Sequence, residues 1–388
     1  MYSLDANTTG DYNTAIGRHS LGGNTTGDKN VAVGGNALFS NATGNNNVAV
    51  GYNSLDANTA DGNTAIGYHA LILNTSGADN CALGMESLKA NTTGSDNNAF
   101  GRLSLGANTT GTQNTAMGHA TLDANTTASY NTAFGAIALT NTTTGNLNVA
   151  VGYQALKANT TATENTAIGA RALEGNTTGE DNTGLGYAAL FSNLTGDYNT
   201  AIGRTTLYTN TAGNNNVAVG NNALYTNTGS SNVAIGRNSL DANSSADHNT
   251  AVGDQSLSAN STGAGNVAIG SNALISSTTS NNNLAVGTNA LYSNTTGAEN
   301  IAIGNYSLDQ ASTASHNISI GYGAMGVNTT GANNVAVGNY ALDANTTASY
   351  NVAVGYSALT AATTGPVSYT HLRAHETLRY RVVRRVLV

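Results

Sequence analysis

A five-residue motif, Asn-x-Ala-x-Gly, recurs along almost the whole chain and constrains its fold more than any other feature. It first occurs at 13–17 as Asn-Thr-Ala-Ile-Gly and last at 351–355 as Asn-Val-Ala-Val-Gly. Its closing glycines give 21 copies spaced 17 residues apart, except for two steps of 16, from Gly51 to Gly67 and from Gly220 to Gly236. A repeat this short cannot bury its own apolar side chains and must stack on its neighbours. The period therefore predicts a solenoid without separate globular domains.

The full repeat aligns as Asn-[Val/Thr]-Ala-[Val/Ile]-Gly-x-x-[Ala/Ser]-Leu-x-x-Asn-Thr-Thr-Gly-x-x, and its positions are numbered 1 to 17 from the first Asn. The β-branched residues predict a strand over positions 1 to 5, and Asn-Thr-Thr-Gly predicts a turn. Leu occupies position 9 in 20 of the 21 copies, which favours a second short extended segment. The sequence thus predicts an all-β fold, a parallel β-solenoid of about 21 two-stranded coils over residues 1–365. Its structural ladder is expected to include Asn13, Gly17, Leu21, Asn30, Gly34 and Leu38.

The strand has two faces, and both are restricted in composition. Side chains of positions 2 and 4 share one face, and those of positions 1, 3 and 5 share the other. Position 3 is Ala in 19 of 21 copies, whereas positions 2 and 4 carry mostly Val, Thr and Ile. A single coil buries too few large side chains, at ~1.5–3 kcal/mol each, to offset an ordering cost of ~1–2 kcal/mol per residue. We therefore expect both faces to be covered, one of them by identical chains.

Composition limits the classes of partner. The net charge is -8, with no basic stripe in the repeats, which argues against nucleic acid. No apolar run approaches the ~20 residues that span a bilayer, and no signal peptide opens the chain. The single cysteine, Cys81, occupies position 2, where other copies carry Val or Thr. It is interpreted as a small buried apolar residue rather than a reactive thiol.

The two ends of the chain differ from the repeats. Residues 1–12 begin in the middle of a repeat without a capping segment, which indicates a fragment of a longer protein. Residues 366–388 contain the only Pro and five of the 13 basic residues. Their sequence resembles the read-through translation of a sequencing-library adapter, so we interpret them as a non-native tail. The alternative is a basic C-terminal tail.

Several motifs could carry chemistry, but each has a plainer structural interpretation. Asn-Thr-Thr matches the N-glycosylation acceptor, yet Asn and Thr in every coil can also form hydrogen-bonded ladders. His19 and His69 are three coils apart, ~14 Å, too far to share a metal ion. The densest acidic cluster, Glu164, Glu174, Glu180 and Asp181, is interpreted as a solvated rim. We expect no enzyme activity, no metal and no cofactor.

The variable positions 6 and 7 are rich in Tyr, which offers amphipathic contact area at low entropic cost. A ladder of such residues could bind a glycan or protein with avidity; the alternative is that they only solvate the surface. The candidate contacts are Tyr52, Tyr68, Tyr153, Tyr187, Tyr306, Tyr322, Tyr340 and Tyr356.

Asn-Val-Ala-Val-Gly and Asn-Thr-Ala-Ile-Gly, followed by a small residue three positions on, resemble the head repeats of trimeric autotransporter adhesins. The whole unit over residues 1–365 also resembles the repeat arrays of phage tail fibres. The resemblance implies a left-handed β-roll, a homotrimer and a place on a bacterial cell surface or virion. The repeats of the adhesin heads are usually a few residues shorter.

These observations lead to three functional hypotheses. The first is a non-enzymatic fibrous adhesin or tail-fibre shaft that contacts host or surface glycans or proteins. The second is an ice- or mineral-binding solenoid, although the adjacent threonines of the turn, as in Thr8-Thr9, would point to opposite faces of a strand. The third is a glycan depolymerase.

Overall fold

A computed structural model describes residues 3–360 and 371–372. The chain divides into two units, Met1–Ser231 and Asn232–Val388. Each is a β-solenoid in which the coils of the repeat region contribute one three-residue strand each to a parallel sheet, and the described residues contain no helix. The all-β, parallel solenoid predicted from the period is therefore confirmed, while its handedness stays a prediction.

The strands follow the repeat, and each coil is numbered after its strand. The first unit contains β1 Thr14–Ile16, β2 Val31–Val33, β3 Val48–Val50, β4 Thr64–Ile66, β5 Cys81–Leu83, β6 Asn98–Phe100, β7 Thr115–Met117, β8 Thr132–Phe134, β9 Val149–Val151, β10 Thr166–Ile168, β11 Thr183–Leu185, β12 Thr200–Ile202 and β13 Val217–Val219. The second contains β14 Val233–Ile235, β15 Thr250–Val252, β16 Val267–Ile269, β17 Leu284–Val286, β18 Ile301–Ile303, β19 Ile318–Ile320, β20 Val335–Val337, β21 Val352–Val354 and the two-residue β22 His371–Leu372.

Strand pairing keeps equivalent repeat positions side by side. In the first unit Val48 pairs with Thr64 although that coil has only 16 residues. The missing residue is absorbed in the turn, where the amide of Asn58 donates to the carbonyl of Ala60, two residues on, instead of three. Register is thus fixed by the strand and by the buried side chains, and the turn accommodates the change in length.

The interior of each coil is narrow. Positions 3, 8 and 9 are fully buried, as at Ala150, Ala155 and Leu156. Leu reaches across to position 3: where Gly184 replaces Ala, a Cβ would lie 3.3 Å from Cδ1 of Leu173. This contact leaves no space for a larger side chain and explains why position 3 is almost always Ala.

The segment around position 9 is not a second strand, contrary to expectation. Every residue at position 9 has φ between 48° and 57°, a left-handed conformation that costs a non-glycine residue roughly 1–2 kcal/mol. Burial of the Leu side chain, at ~1.5–3 kcal/mol, offsets this cost. Leu therefore lies on the inside of a turn, and each coil has a single strand.

Two ladders of buried asparagines run along the coils. At position 12, Nδ2 of Asn91 donates to Oδ1 of Asn74 at 2.7 Å and to the carbonyl of Gly94 at 2.9 Å. At position 1, the backbone N–H of Asn97 donates to Oδ1 of Asn80 at 3.0 Å. Because the position 12 asparagine begins the Asn-Thr-Thr sequence, these acceptor asparagines lie inside the folded coils, as Asn24 and Asn91 do.

Two further ladders connect the turns. At position 13, Oγ1 of Thr92 donates to the carbonyl of Thr109 at 3.0 Å. At position 16, which the consensus leaves undefined, the N–H of Glu180 donates to Oδ1 of Asp197, and that of Asp197 donates to Oδ1 of Asn214. These bonds hold neighbouring turns together outside the strands.

Substitution of Ala311 by Asn is expected to stabilise the second unit. Ala311 interrupts the position 12 ladder, and Oδ1 of the buried Asn294 has no hydrogen-bond partner among the described residues. The new side chain can donate to Asn294 and accept from Asn328, for a gain of about 1–2 kcal/mol. Thermal unfolding followed by circular dichroism should show a higher midpoint, whereas Ala344→Asn, at position 11 outside the ladder, should not. An unchanged midpoint for Ala311→Asn would contradict the ladder as a source of stability.

The predicted boundary at 365/366 lies outside the described residues, and so does the proposed tail 366–388 except for 371–372, which pair in parallel with β21.

Candidate functional site

The eight tyrosines predicted as surface contacts all lie on the ridge formed by positions 6 and 7, directly after the position 5 glycine. That glycine has φ between 125° and 140° in every coil, which turns the chain out of the strand and leaves the next two side chains outside the coil. The tyrosines are between 39% and 66% exposed. The ridge therefore presents aromatic side chains to solvent, in separate groups.

In the first unit, two tyrosines stack and the other two do not meet. Tyr52 and Tyr68 have ring centroids 6.0 Å apart and planes 12° apart, and His69 stacks on Tyr68 at 3.7 Å. Tyr153 and Tyr187 belong to coils 9 and 11, with the intervening coil between them. Tyr52, Tyr68 and His69 thus form one group of three rings, whereas Tyr153 and Tyr187 are not in contact with each other.

In the second unit, the four tyrosines form one chain of edge-to-face rings. The centroids of Tyr306, Tyr322, Tyr340 and Tyr356 lie 5.8, 5.4 and 6.2 Å from one ring to the next. Desolvation beside these rings raises the pKa of Tyr340, and the nearby Tyr322 and Tyr356 raise it further. The four rings therefore form one continuous aromatic surface over coils 18 to 21.

An aromatic stack at position 10 was missed by the sequence reasoning. Phe191, Tyr208 and Tyr225 stack with centroids 4.9 and 5.1 Å apart and nearly parallel planes. The guanidinium of Arg171 lies 4.6 Å from the centroid of Phe191. The available signal was the occurrence of aromatic residues at the same repeat position in three consecutive coils.

The face formed by positions 2 and 4, here called the outer strand face, points away from the coil interior. Ile168, Leu185 and Ile202 at position 4 are about 40% exposed, and neither position carries a charged residue in any coil. The expectation that both strand faces are covered therefore holds within one chain only for the Asn-Ala face. The interior is already filled by Ala and Leu, so the β-branched side chains remain outside.

The outer strand face also carries threonines that the sequence reasoning on ice binding overlooked. Thr166, Thr183 and Thr200 occupy position 2 of coils 10 to 12 in register. In the Asn-Thr-Thr turn, by contrast, the first Thr is engaged with a backbone carbonyl of the next coil, as Thr92 is. The ordered threonine array is thus on the strand and not on the turn.

The acidic cluster proposed from sequence separates in the structure. Glu164 and Asp181 lie together, and their hydrogen bond followed by charge repulsion raises the pKa of Glu164. Glu174 lies elsewhere, 2.6 Å from Nε of Arg171 and 3.9 Å from Nζ of Lys157. Its charge is thus balanced by two cations, while Glu164 and Asp181 form a small acidic pair.

The histidines and the cysteine singled out in the sequence have the following surroundings in the structure. The ring of His19 lies 5.9 Å from that of Phe39, and His69 stacks on Tyr68. Cys81 is half-buried on the outer strand face, and desolvation raises the pKa of its thiol. Within residues 3–360, no three His, Cys, Asp or Glu side chains are grouped so that they could hold a metal ion.

Two comparisons with known proteins were negative. No family model matches the chain, and no curated protein matches it either. In the part of the chain that the structure describes, there is no helix with the length and apolar character needed to cross a membrane.

Proposed function

We propose that this chain is part of a fibrous surface adhesin or tail-fibre shaft, located outside the cell on a bacterial surface or a virion. The observation that supports this proposal best is the exposed tyrosine ridge, which repeats aromatic contact groups on the solenoid of each unit. Aromatic side chains of this kind pack against sugar rings and protein surfaces. Many weak contacts on one scaffold act together through avidity. The role proposed is attachment, without catalysis or a cofactor.

We further propose that the adhesin is a homotrimer that covers its outer strand faces. In the first unit, 13 strands at ~4.8 Å spacing make a charge-free strip ~60 Å long, with apolar side chains at every position 4 and mostly Thr and Val at position 2. A patch of this extent is at the upper end of what monomeric proteins expose. Packing against identical chains would bury it, as the repeat composition predicts.

Sedimentation equilibrium of the full chain tests the trimer. We expect three times the chain mass of 39.0 kDa. Val151→Lys, on the outer strand face, should give a folded monomer because Val151 is half-exposed in the single chain and a charge would be buried only in the trimer. Thr110→Lys, at an exposed turn position, should leave the trimer intact. A wild-type monomer at micromolar concentration would remove the trimer from the proposal.

The tyrosine ridge is tested by binding to a glycan array. The double variant Tyr52→Ala/Tyr68→Ala is expected to lower the apparent affinity for the bound glycan about tenfold, a loss of ~1.4 kcal/mol. Tyr130→Ala removes an equally exposed ring at position 17, away from the ridge, and serves as the control. Equal binding by both variants would show that the ridge is not the contact surface.

A second candidate function, ice binding, is favoured by the in-register threonines of the outer strand face. Ice binding requires that these rows of Thr and the neighbouring Ile face solvent. They do so only if the chain does not associate through its outer strand face. A monomer that produces thermal hysteresis, reduced by Thr183→Lys, would support this candidate. A trimer without thermal hysteresis would exclude it.

A further inference from the structure

Two cavities lie next to each other on the first unit, and repeat positions 10 and 11 line both. Their volumes are about 480 and 360 Å³, within the size range of ligand pockets. Asn141 borders both cavities. The two cavities are therefore neighbours along coils 5 to 12, and the pair is here called the trough.

The floor of the trough is formed by short side chains at position 11, such as Ala107 and Ala158. Its backbone amides are already used: the N–H of Ala107 donates to the carbonyl of Asp123, and that of Ala158 donates to the carbonyl of Glu174, both at 2.9 Å. A peptide strand cannot pair with amides that are bonded to the next coil. The hydrogen-bond donors for a ligand must therefore come from the side chains of the walls.

Each cavity carries one cation and one carboxylate. Lys89 and Asp123 border the first, and Lys157 and Glu174 border the second, with Nζ of Lys157 3.9 Å from Oε1 of Glu174. Nζ of Lys89 is also paired with Glu86 at 3.3 Å. Each cavity thus offers a positively charged hydrogen-bond donor and a negatively charged acceptor. This arrangement favours a ligand that has no net charge and carries both donor and acceptor groups.

Apolar side chains complete the walls. Leu103 borders the first cavity, and Phe191 and the exposed Leu194 border the second. The contact of Arg171 with Phe191 and its bond to Glu174 fix this part of the wall. Desolvation raises the pKa of Asp123, consistent with a partly dry wall at the other end. Sugar rings combine hydroxyl groups with apolar faces and match this mixture.

We propose that the trough binds a linear polysaccharide without net charge, oriented along the solenoid axis. Its hydroxyls pair with the carboxylates and ammonium groups, and its rings pack on Leu103, Phe191 and Leu194. The seven coil steps of the trough, at ~4.8 Å each, give ~34 Å for several consecutive sugars. The proposal rests on the glycan adhesion proposed above and adds a binding site separate from the tyrosine ridge.

Isothermal titration calorimetry of the full chain tests this site. The probes are neutral hexasaccharides of glucose, mannose and N-acetylglucosamine, their disaccharides, and a hyaluronan hexasaccharide. At least one neutral hexasaccharide should bind at least tenfold more tightly than its disaccharide. The variant Ala107→Leu/Ala158→Leu fills the floor and should lower this affinity tenfold or more. Leu is compatible with the fold at position 11, since Leu73 already occupies it in coil 4 with half of its side chain exposed.

Two controls separate this proposal from the proposed function. Ala259→Leu, at position 11 of coil 15, and Tyr52→Ala/Tyr68→Ala should bind the hexasaccharide like the wild type. Unchanged binding after the floor is filled, tighter binding of hyaluronan, or no binding of any neutral hexasaccharide would overturn the trough as a polysaccharide site. If the trough proposal fails in this way but Tyr52→Ala/Tyr68→Ala still loses binding on the glycan array, the adhesin proposal is supported and only the trough site is rejected.

Discussion

Replacement of Gly34 by Ala is expected to destabilise the first unit more than any other substitution considered for this chain. Gly34 has φ of +134°, and a Cβ would lie 2.7 Å from the carbonyl carbon of Gly51 in the next coil. The backbone strain costs about 1–3 kcal/mol, and overlap with a backbone that is held in register adds about 1–3 kcal/mol or more. Because each coil is stabilised by its neighbours, the loss affects the coils on both sides.

Gly35→Ala is the matched control for this prediction. Gly35 lies one residue further, at the variable position 6, and has no positive φ; a Cβ there would meet the side chain of Tyr52 at 3.3 Å, and this ring can move. Thermal unfolding followed by circular dichroism should show a much lower midpoint for Gly34→Ala and little change for Gly35→Ala. Similar midpoints for the two variants would mean that stacking does not require glycine at position 5.

Asn114→Ala is expected to have the second large effect. The side chain of Asn114 donates to Oδ1 of Asn97 and to the carbonyl of Ala128, and its Oδ1 accepts the N–H of Asn131. Removal leaves the buried N–H of Asn131 without its partner, at ~1–3 kcal/mol, and deletes two further hydrogen bonds worth about 1 kcal/mol each. Oδ1 of Asn97 and the carbonyl of Ala128 keep the backbone N–H of Asn114 and Nδ2 of Asn125, respectively. We expect a loss of at least about 3 kcal/mol in the free energy of unfolding.

Urea unfolding measures this loss, with Thr110→Ala as the control because Thr110 is exposed at a turn. A drop in the midpoint for Asn114→Ala together with an unchanged Thr110→Ala would show that the side-chain ladder, and not the strand alone, holds the coils together. A change below 1 kcal/mol for Asn114→Ala, by the magnitude of a typical single hydrogen bond, would contradict that conclusion.

The period and the in-phase β-branched residues were sufficient to predict a parallel β-solenoid. They could not show which strand face closes the coil, because alternation defines two faces without assigning either to the interior. Leu156 decides this: it enters from a left-handed turn and fills the space opposite Ala150. A left-handed Leu is rare, so sequence reasoning assigned an extended segment instead.

The candidate site could be predicted only in part from the sequence. Exposure of the tyrosines followed from the variability of positions 6 and 7, whereas their grouping depends on side-chain rotamers. The trough was missed because position 10 varies among Lys, Asp, Gly and aromatic residues, as at Lys89, Gly106 and Phe191. A consensus leaves such a variable position undefined. Comparison of residues one coil apart would have revealed the aromatic stack and the charge pairs.

Burial of the Asn-Thr-Thr asparagines determines in which host this protein can be made. In a eukaryotic secretory pathway the acceptor sequence is modified on the unfolded chain, and a glycan on Asn91 cannot fit into an interior that is fully closed. Each modified coil would then fail to stack. Exchange of the exposed Thr93 and its equivalents at position 14 for Ala removes the acceptor signal at position 12 without touching the ladder. The buried Asn317 also begins an acceptor sequence, Asn317-Ile318-Ser319, which Ser319→Ala removes by restoring the consensus residue; both changes would be needed for secreted production.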